Sequence, residues 1–145
     1  VQGLQATAAG RLTPLWQVFA GYTYLDAEIV KASALDGTQG KVPANTPKDS
    51  ASFWTTYRFA REWRAGTGVA YMSDRFASNN NAVRVPSYLR WDAMVGYEQP
   101  KYSIQLNIFN LANRLNYDAL IPSDRGRSVP GTNRQALLSV TYKFI

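Results

Sequence analysis

Apolar and polar residues alternate one by one along the closing stretch, Arg134–Phe144. Ala136, Leu138, Val140, Tyr142 and Phe144 share one parity; Gln135, Leu137, Ser139, Thr141 and Lys143 share the other. A period of two predicts an extended strand, because successive side chains point to opposite sides. One face is apolar and ends in two aromatics, while the other is mostly polar and carries a charge. Such a strand suits a soluble sandwich, or a membrane barrel with lipid outside and water within.

The same pattern recurs upstream. Gly3–Leu12 reads as a first strand, rich in Ala and Gly, followed by a turn at Thr13-Pro14-Leu15. A long second strand is expected from Trp16 to about Ala32, with Val18, Ala20, Tyr22 and Tyr24 on the outer face. Further strands are predicted over Asp49–Phe59, Trp63 to about Asp74, Pro86–Glu98 and Tyr102 to about Leu111. Between them lie tight turns at Arg61-Glu62 and Gln99-Pro100-Lys101, and long polar loops over 33–48, 75–85 and 112–133. The expected fold is all-β: about seven antiparallel strands.

Three features decide between lipid and water. In the third to seventh strand cores the charges Arg58, Arg64, Arg90, Asp92, Glu98 and Lys143 all fall on one face. A lipid-facing surface has to be free of charge, because an ion in hydrocarbon is costly. Aromatics mark the strand ends beside the short turns: Trp16, Phe59, Trp63, Tyr97, Tyr102, Tyr142 and Phe144. That is the arrangement of an interfacial girdle. Short turns and long loops alternate, as the periplasmic and external connections of outer-membrane barrels do. Together these predict a segment of a transmembrane β-barrel in the bacterial outer membrane. About seven strands leave two edges unpaired, which lipid does not tolerate, so the rest of the barrel is an expected partner.

Composition adds exclusions. The 145 residues include no Cys and no His, which removes thiol chemistry and the usual zinc ligands. No nucleophile–base–acid set is evident, so no catalytic residue, metal ligand or bound cofactor is assigned. The chain is aromatic-rich (13%) and charge-poor (18%), against about a quarter charged in soluble domains. Its net charge of +6 comes from scattered single Lys and Arg, which argues against nucleic-acid binding. Gly66 and Gly68 lie inside a strand and lack the third glycine of a dinucleotide loop. Asp92 and Glu98 read as salt-bridge partners facing the lumen.

Several short runs resemble one family. Leu12-Thr13-Pro14-Leu15-Trp16 leads to Gly21-Tyr22-Thr23-Tyr24-Leu25-Asp26-Ala27, and Val42-Pro43-Ala44-Asn45-Thr46-Pro47-Lys48 leads to Trp54-Thr55-Thr56-Tyr57. Val85-Pro86-Ser87-Tyr88-Leu89-Arg90-Trp91-Asp92-Ala93 follows a VPxYxRxD pattern. Asn107–Arg114 with Tyr117 follows NxxNLxNxxY, and Gly126–Gly131 resembles a terminal PGR loop. In this order the runs resemble the C-terminal barrel portion of a TonB-dependent outer-membrane siderophore receptor of the ferric-catecholate type. The chain departs from that pattern at its end, where Ile145 follows Phe144.

The resemblance implies a barrel of about 22 strands, of which residues 1–145 form the C-terminal part, with the plug domain outside these residues. It implies a receptor and not an enzyme, one that captures and imports ferric siderophores with energy from the TonB system. TonB would act through the N-terminal region, and the ferric siderophore is cargo, not a cofactor. Lipid and lipopolysaccharide are the expected surroundings. A ferric catecholate is anionic, so cationic external loops fit its capture. Arg75, Arg84, Arg125 and Arg127 are the candidate ligand-binding residues, with Phe76, Tyr88 and Tyr117 as aromatic company. Two other readings remain at this point: a small structural or passive-pore outer-membrane barrel without ligand, and a soluble β-sandwich binding module.

Overall fold

The computed structural model describes residues 1–121 and 127–144. Eleven strands follow in order: β1 (Gln2–Thr13), β2 (Trp16–Asp26), β3 (Asp49–Arg58), β4 (Trp63–Met72), β5 (Arg75–Phe76), β6 (Arg84–Val85), β7 (Tyr88–Glu98), β8 (Tyr102–Phe109), β9 (Tyr117–Ile121), β10 (Arg127–Pro130) and β11 (Gln135–Tyr142). Seven of them make one antiparallel sheet in the order β1-β2-β3-β4-β7-β8-β11. The other four form two small hairpins, β5–β6 and β9–β10, inside the predicted loops.

The sheet is a single layer. Among the described residues only Ala27, Ala77 and Val85 are buried hydrophobics. The chain exposes 10105 Å², whereas a compact monomer of its 16.2 kDa would expose about 7,500 Å². No second sheet covers the first among the described residues, which removes the soluble sandwich as a reading. Both edge strands, β1 and β11, are exposed along their whole length.

Cross-strand partners share a face, so the register assigns each side of the sheet. Tyr57 pairs with Ala65 and Trp16, and Ala65 pairs with Val95. Val95 pairs with Leu106, and Leu106 with Leu138. Leu4, Tyr22, Phe53, Val69, Trp91, Ile104 and Val140 lie on this same apolar face. The opposite face carries Arg58, Arg64, Arg90, Asp92, Glu98, Gln105 and Asn107, as the alternation predicts. Val18, Ala20, Tyr22 and Tyr24 fall on the apolar side.

Two carboxylates stand at the rim of the apolar face, Asp26, which closes β2 opposite Gln2, and Asp49. Asp49 opens β3 opposite Tyr24, and its Oδ1 accepts a hydrogen bond from the Tyr22 hydroxyl at 2.6 Å. Its position at the strand end keeps it out of the middle of the face.

The aromatics at the turn side touch one another. Phe59 and Trp63 have ring centroids 6.4 Å apart, Trp63 and Tyr97 4.8 Å, and Tyr97 and Tyr102 6.1 Å. Trp16 meets Tyr57 edge-on at 6.4 Å, and Tyr142 meets Phe144 at 4.9 Å. These side chains form the expected girdle at the end of the sheet with the short turns.

The structure corrects three boundaries. The second strand stops at Asp26, not near Ala32, because the chain then folds back: Ile29 N–H donates to Lys41 O and Gly40 N–H to Ile29 O, each at 2.9 Å. The strand expected from Pro86 begins at Tyr88. The stretches 75–85 and 112–133 are not simple loops, since each contains a hairpin. Ile145 lies outside the described residues.

Candidate functional site

Three connections gather at the end of the sheet opposite the girdle: residues 27–48, 73–87 and, in the third, 110–121 and 127–134. Local chemistry builds each one. Asn45, Asn81, Asn110 and Asn113 all have positive φ, between 50° and 56°. Asn is among the few residues that tolerate this left-handed backbone.

Asn110 organises the third connection. It is 1% exposed. Its side-chain amide donates to Arg114 O at 2.8 Å and Thr132 O at 3.1 Å, and its Oδ1 accepts from Arg114 N–H at 3.0 Å. Asp92 joins this knot to the sheet: its Oδ1 accepts from Asn110 N–H at 2.8 Å, and its Oδ2 pairs with Arg90 at 3.1 Å. Glu98 pairs with Arg58 at 3.3 Å. Both acidic residues are thus in ion pairs on the polar face.

Four arginines were expected to meet ligand. Arg75 and Arg84 stand on the β5–β6 hairpin, where Arg75 pairs with Val85 and Phe76 with Arg84. Arg84 is exposed, forms an ion pair with Asp74 and lies over the Phe76 ring, 5.7 Å from its centroid. Arg75 is only 2% exposed. Its Nε donates to Asn45 Oδ1 at 2.8 Å and its Nη2 to Tyr117 O. The guanidinium also sits 6.0 Å from the Tyr88 ring. Arg127 opens β10 on the exposed surface, opposite Ile121. Arg125 lies outside the described residues. The hydrogen bond to Tyr117 O brings the two hairpins together. The three aromatics are all engaged: Phe76 beneath Arg84, Tyr88 beside Arg75, and Tyr117 against Ala77 and Val85.

Sequence reasoning missed two groups here. Asn79, Asn80 and Asn81 looked like generic loop polarity. Asn81 in fact brackets Val42, accepting from its N–H at 3.0 Å and donating to its carbonyl at 2.7 Å. Asn79 Oδ1 accepts from Ala44 N–H at 2.8 Å, and Lys41 Nζ donates to Asn80 O at 2.9 Å. The second group is Trp54, whose indole lies on the polar face against Gly66 and Gly68. The glycine spacing within β4 was the available signal.

A face free of charge between its rims, with an aromatic girdle, a polar ion-paired face and long connections at one end define a segment of an outer-membrane β-barrel. The comparisons agree and give the family. A profile described as "TonB dependent receptor-like, beta-barrel" matches residues 1–111, and the chain belongs to that family. Over 99% of its length it is 32% identical to the catecholate siderophore receptor Fiu of Escherichia coli K12, covering 20% of that protein. It is 32% identical over 78% of its length to a ferrioxamine receptor of Yersinia enterocolitica, covering 17% of that protein. The crystal structure of the siderophore receptor PiuA from Acinetobacter baumannii superposes with a TM-score of 0.88 at 32% identity, over 98% of this chain and 21% of that one. The chain thus spans about a fifth of the length of the curated relatives it matches.

Proposed function

We propose that this chain is part of a receptor that captures ferric siderophores at the cell surface and imports them with energy from the TonB system. We read residues 1–145 as the C-terminal part of the barrel, with the plug and the TonB-contacting segment in sequence outside them. The observation that carries the reading is similarity, along nearly the whole chain, to proteins named as siderophore receptors, one of them for catecholates. The part assigned to these residues is that of a receptor wall. The apolar face meets lipid, the polar face lines the lumen, and lipopolysaccharide surrounds the outer rim. We read the protein as a receptor and not an enzyme, as its relatives are named, with the ferric chelate as cargo.

The external connections carry Arg84, Arg114, Arg125 and Arg127. A cationic mouth raises the local concentration of an anionic chelate and speeds its capture in a salt-dependent way. The test is affinity of the intact receptor for a ferric tris-catecholate at two ionic strengths, in wild type and in the variant carrying Arg125→Ala and Arg127→Ala. Weaker binding in the variant, with the larger loss at low salt, supports the reading. Unchanged affinity at both strengths assigns these arginines to the outer leaflet or the loop fold.

A further inference from the structure

Among the described residues of the loop region, the charged side chain with the least exposure is Arg75. We propose that Arg75 is a positioning residue: its guanidinium pins three external connections into one rigid cap, and it does so without touching ligand. The proposal deepens the siderophore-receptor reading and rests on it for the binding arm of its test.

The geometry begins with reach. Arg75 belongs to the second connection. Its Nε is bonded to Asn45, 30 residues earlier in the first connection, and its Nη2 to the Tyr117 carbonyl, 42 residues later in the third. One planar group therefore spans all three. Asn45 is held in turn by its backbone, since its N–H donates to Phe76 O at 2.8 Å. Tyr117 packs its side chain on Ala77 and Val85, the small buried cluster beneath the hairpin.

A second set of bonds supports the same cap. The triplet Asn79-Asn80-Asn81 closes on residues 41–44 with the four hydrogen bonds described above. Asn81 does for Val42 what a neighbouring strand would do, satisfying both its N–H and its C=O. Losing either set alone leaves the first and second connections partly tied. The third connection is tied to the second through Arg75.

The chemistry requires Arg and not merely a cation. Among the described residues no carboxylate forms an ion pair with Arg75, which bonds neutral oxygens and lies beside the Tyr88 ring. Burying such a charge is costly unless its donors find acceptors; Nε and Nη2 find theirs in the two neighbouring connections, while Nη1 is buried without a hydrogen-bond partner. The rigid fork of a guanidinium holds two acceptors at fixed separation, whereas an ammonium on a flexible stem presents a single point. A siderophore contact would behave differently, because a Lys would supply the attracting charge.

The test uses the intact receptor in detergent or lipid, with Arg75→Lys and Arg75→Ala beside wild type. Backbone hydrogen exchange is measured without ligand over 41–46, 75–85 and 114–118. The proposal expects both variants to speed exchange in all three segments, while amides of β7 and β8 keep their protection. Faster exchange confined to 75–85 overturns it. In the binding arm, affinity for a ferric tris-catecholate should fall about equally in both variants, with the salt dependence of wild type retained. Arg75→Lys binding like wild type, or a flatter salt dependence in Arg75→Ala, makes Arg75 a ligand contact and overturns the proposal. If wild type binds no ferric chelate, the siderophore reading fails, and the exchange arm still decides the role of Arg75.

Discussion

The Asp92 carboxylate accepts a hydrogen bond from the Asn110 backbone N–H at 2.8 Å. This contact joins two residues 18 positions apart, one within β7 and one just past the end of β8. Asp92 is already fixed by Arg90 on the same strand. Asn110 is fixed by three side-chain bonds within its own loop. The polar face of the sheet thereby holds the base of the third connection.

Asn110→Ala should loosen that connection selectively. It removes three hydrogen bonds and leaves the Arg114 and Thr132 carbonyls short of a donor. A buried polar group left unsatisfied costs about 1–3 kcal/mol. Hydrogen exchange in the intact receptor should rise over 110–116 and stay unchanged in β3 and β4. Protection unchanged over 110–116 would mean that Asp92 alone anchors the loop.

Polar groups on the lipid face should be tied to one another. Trp16 and Trp91 donate their indole N–H groups to Thr55 and Thr67, at 2.7 and 2.6 Å. Those two threonines face each other across β3 and β4. Each threonine hydroxyl in turn donates a hydrogen bond to a backbone carbonyl, Thr55 to Gln17 and Thr67 to Asp92. Thr67→Val strands the Trp91 indole, while Thr67→Ser keeps its acceptor. In urea titrations of the receptor in lipid vesicles, Val should cost about 1–3 kcal/mol and Ser less than half of that. Equal costs would show that the indole finds water or a headgroup instead.

Close approach of Trp54 to the wall explains one glycine. A Cβ on Gly68 would collide with the Trp54 ring and the Phe53 carbonyl, whereas one on Gly10 meets nothing within 4 Å. Gly68→Ala should therefore destabilise by about 1–3 kcal/mol, the usual range for overpacking. Gly10→Ala should not lower stability. The same urea titration reads both, and comparable costs would refute the packing argument.

The strands and their faces were legible because a period of two marks an extended strand, and the core charges of the sheet strands β3, β4 and β7 all fall on the polar face. The overrun past Asp26 came from the same source: residues 27–30 continue a plausible alternation, but Leu25 N–H bonds to Lys48 O and the chain then turns back on itself. The β5–β6 hairpin has two residues per strand, too few for any periodicity to show. Arg75 could not be recognised as buried, because its partners lie 30 and 42 residues away in two other loops. Its type and setting looked like those of Arg84, which is exposed.

The central claim is that one face of this sheet meets lipid and the other the lumen. Leu138 and Ser139 are adjacent in β11, both exposed, and lie on opposite faces. In the intact receptor folded in vesicles, Leu138→Arg should cost about 2–4 kcal/mol near the bilayer midplane. Ser139→Arg should be tolerated, because its side chain points to water. The measurement is the folding free energy of each variant from urea titration. A large cost for Leu138→Arg alone is the predicted result, and equal costs for the two substitutions would contradict the assignment of faces.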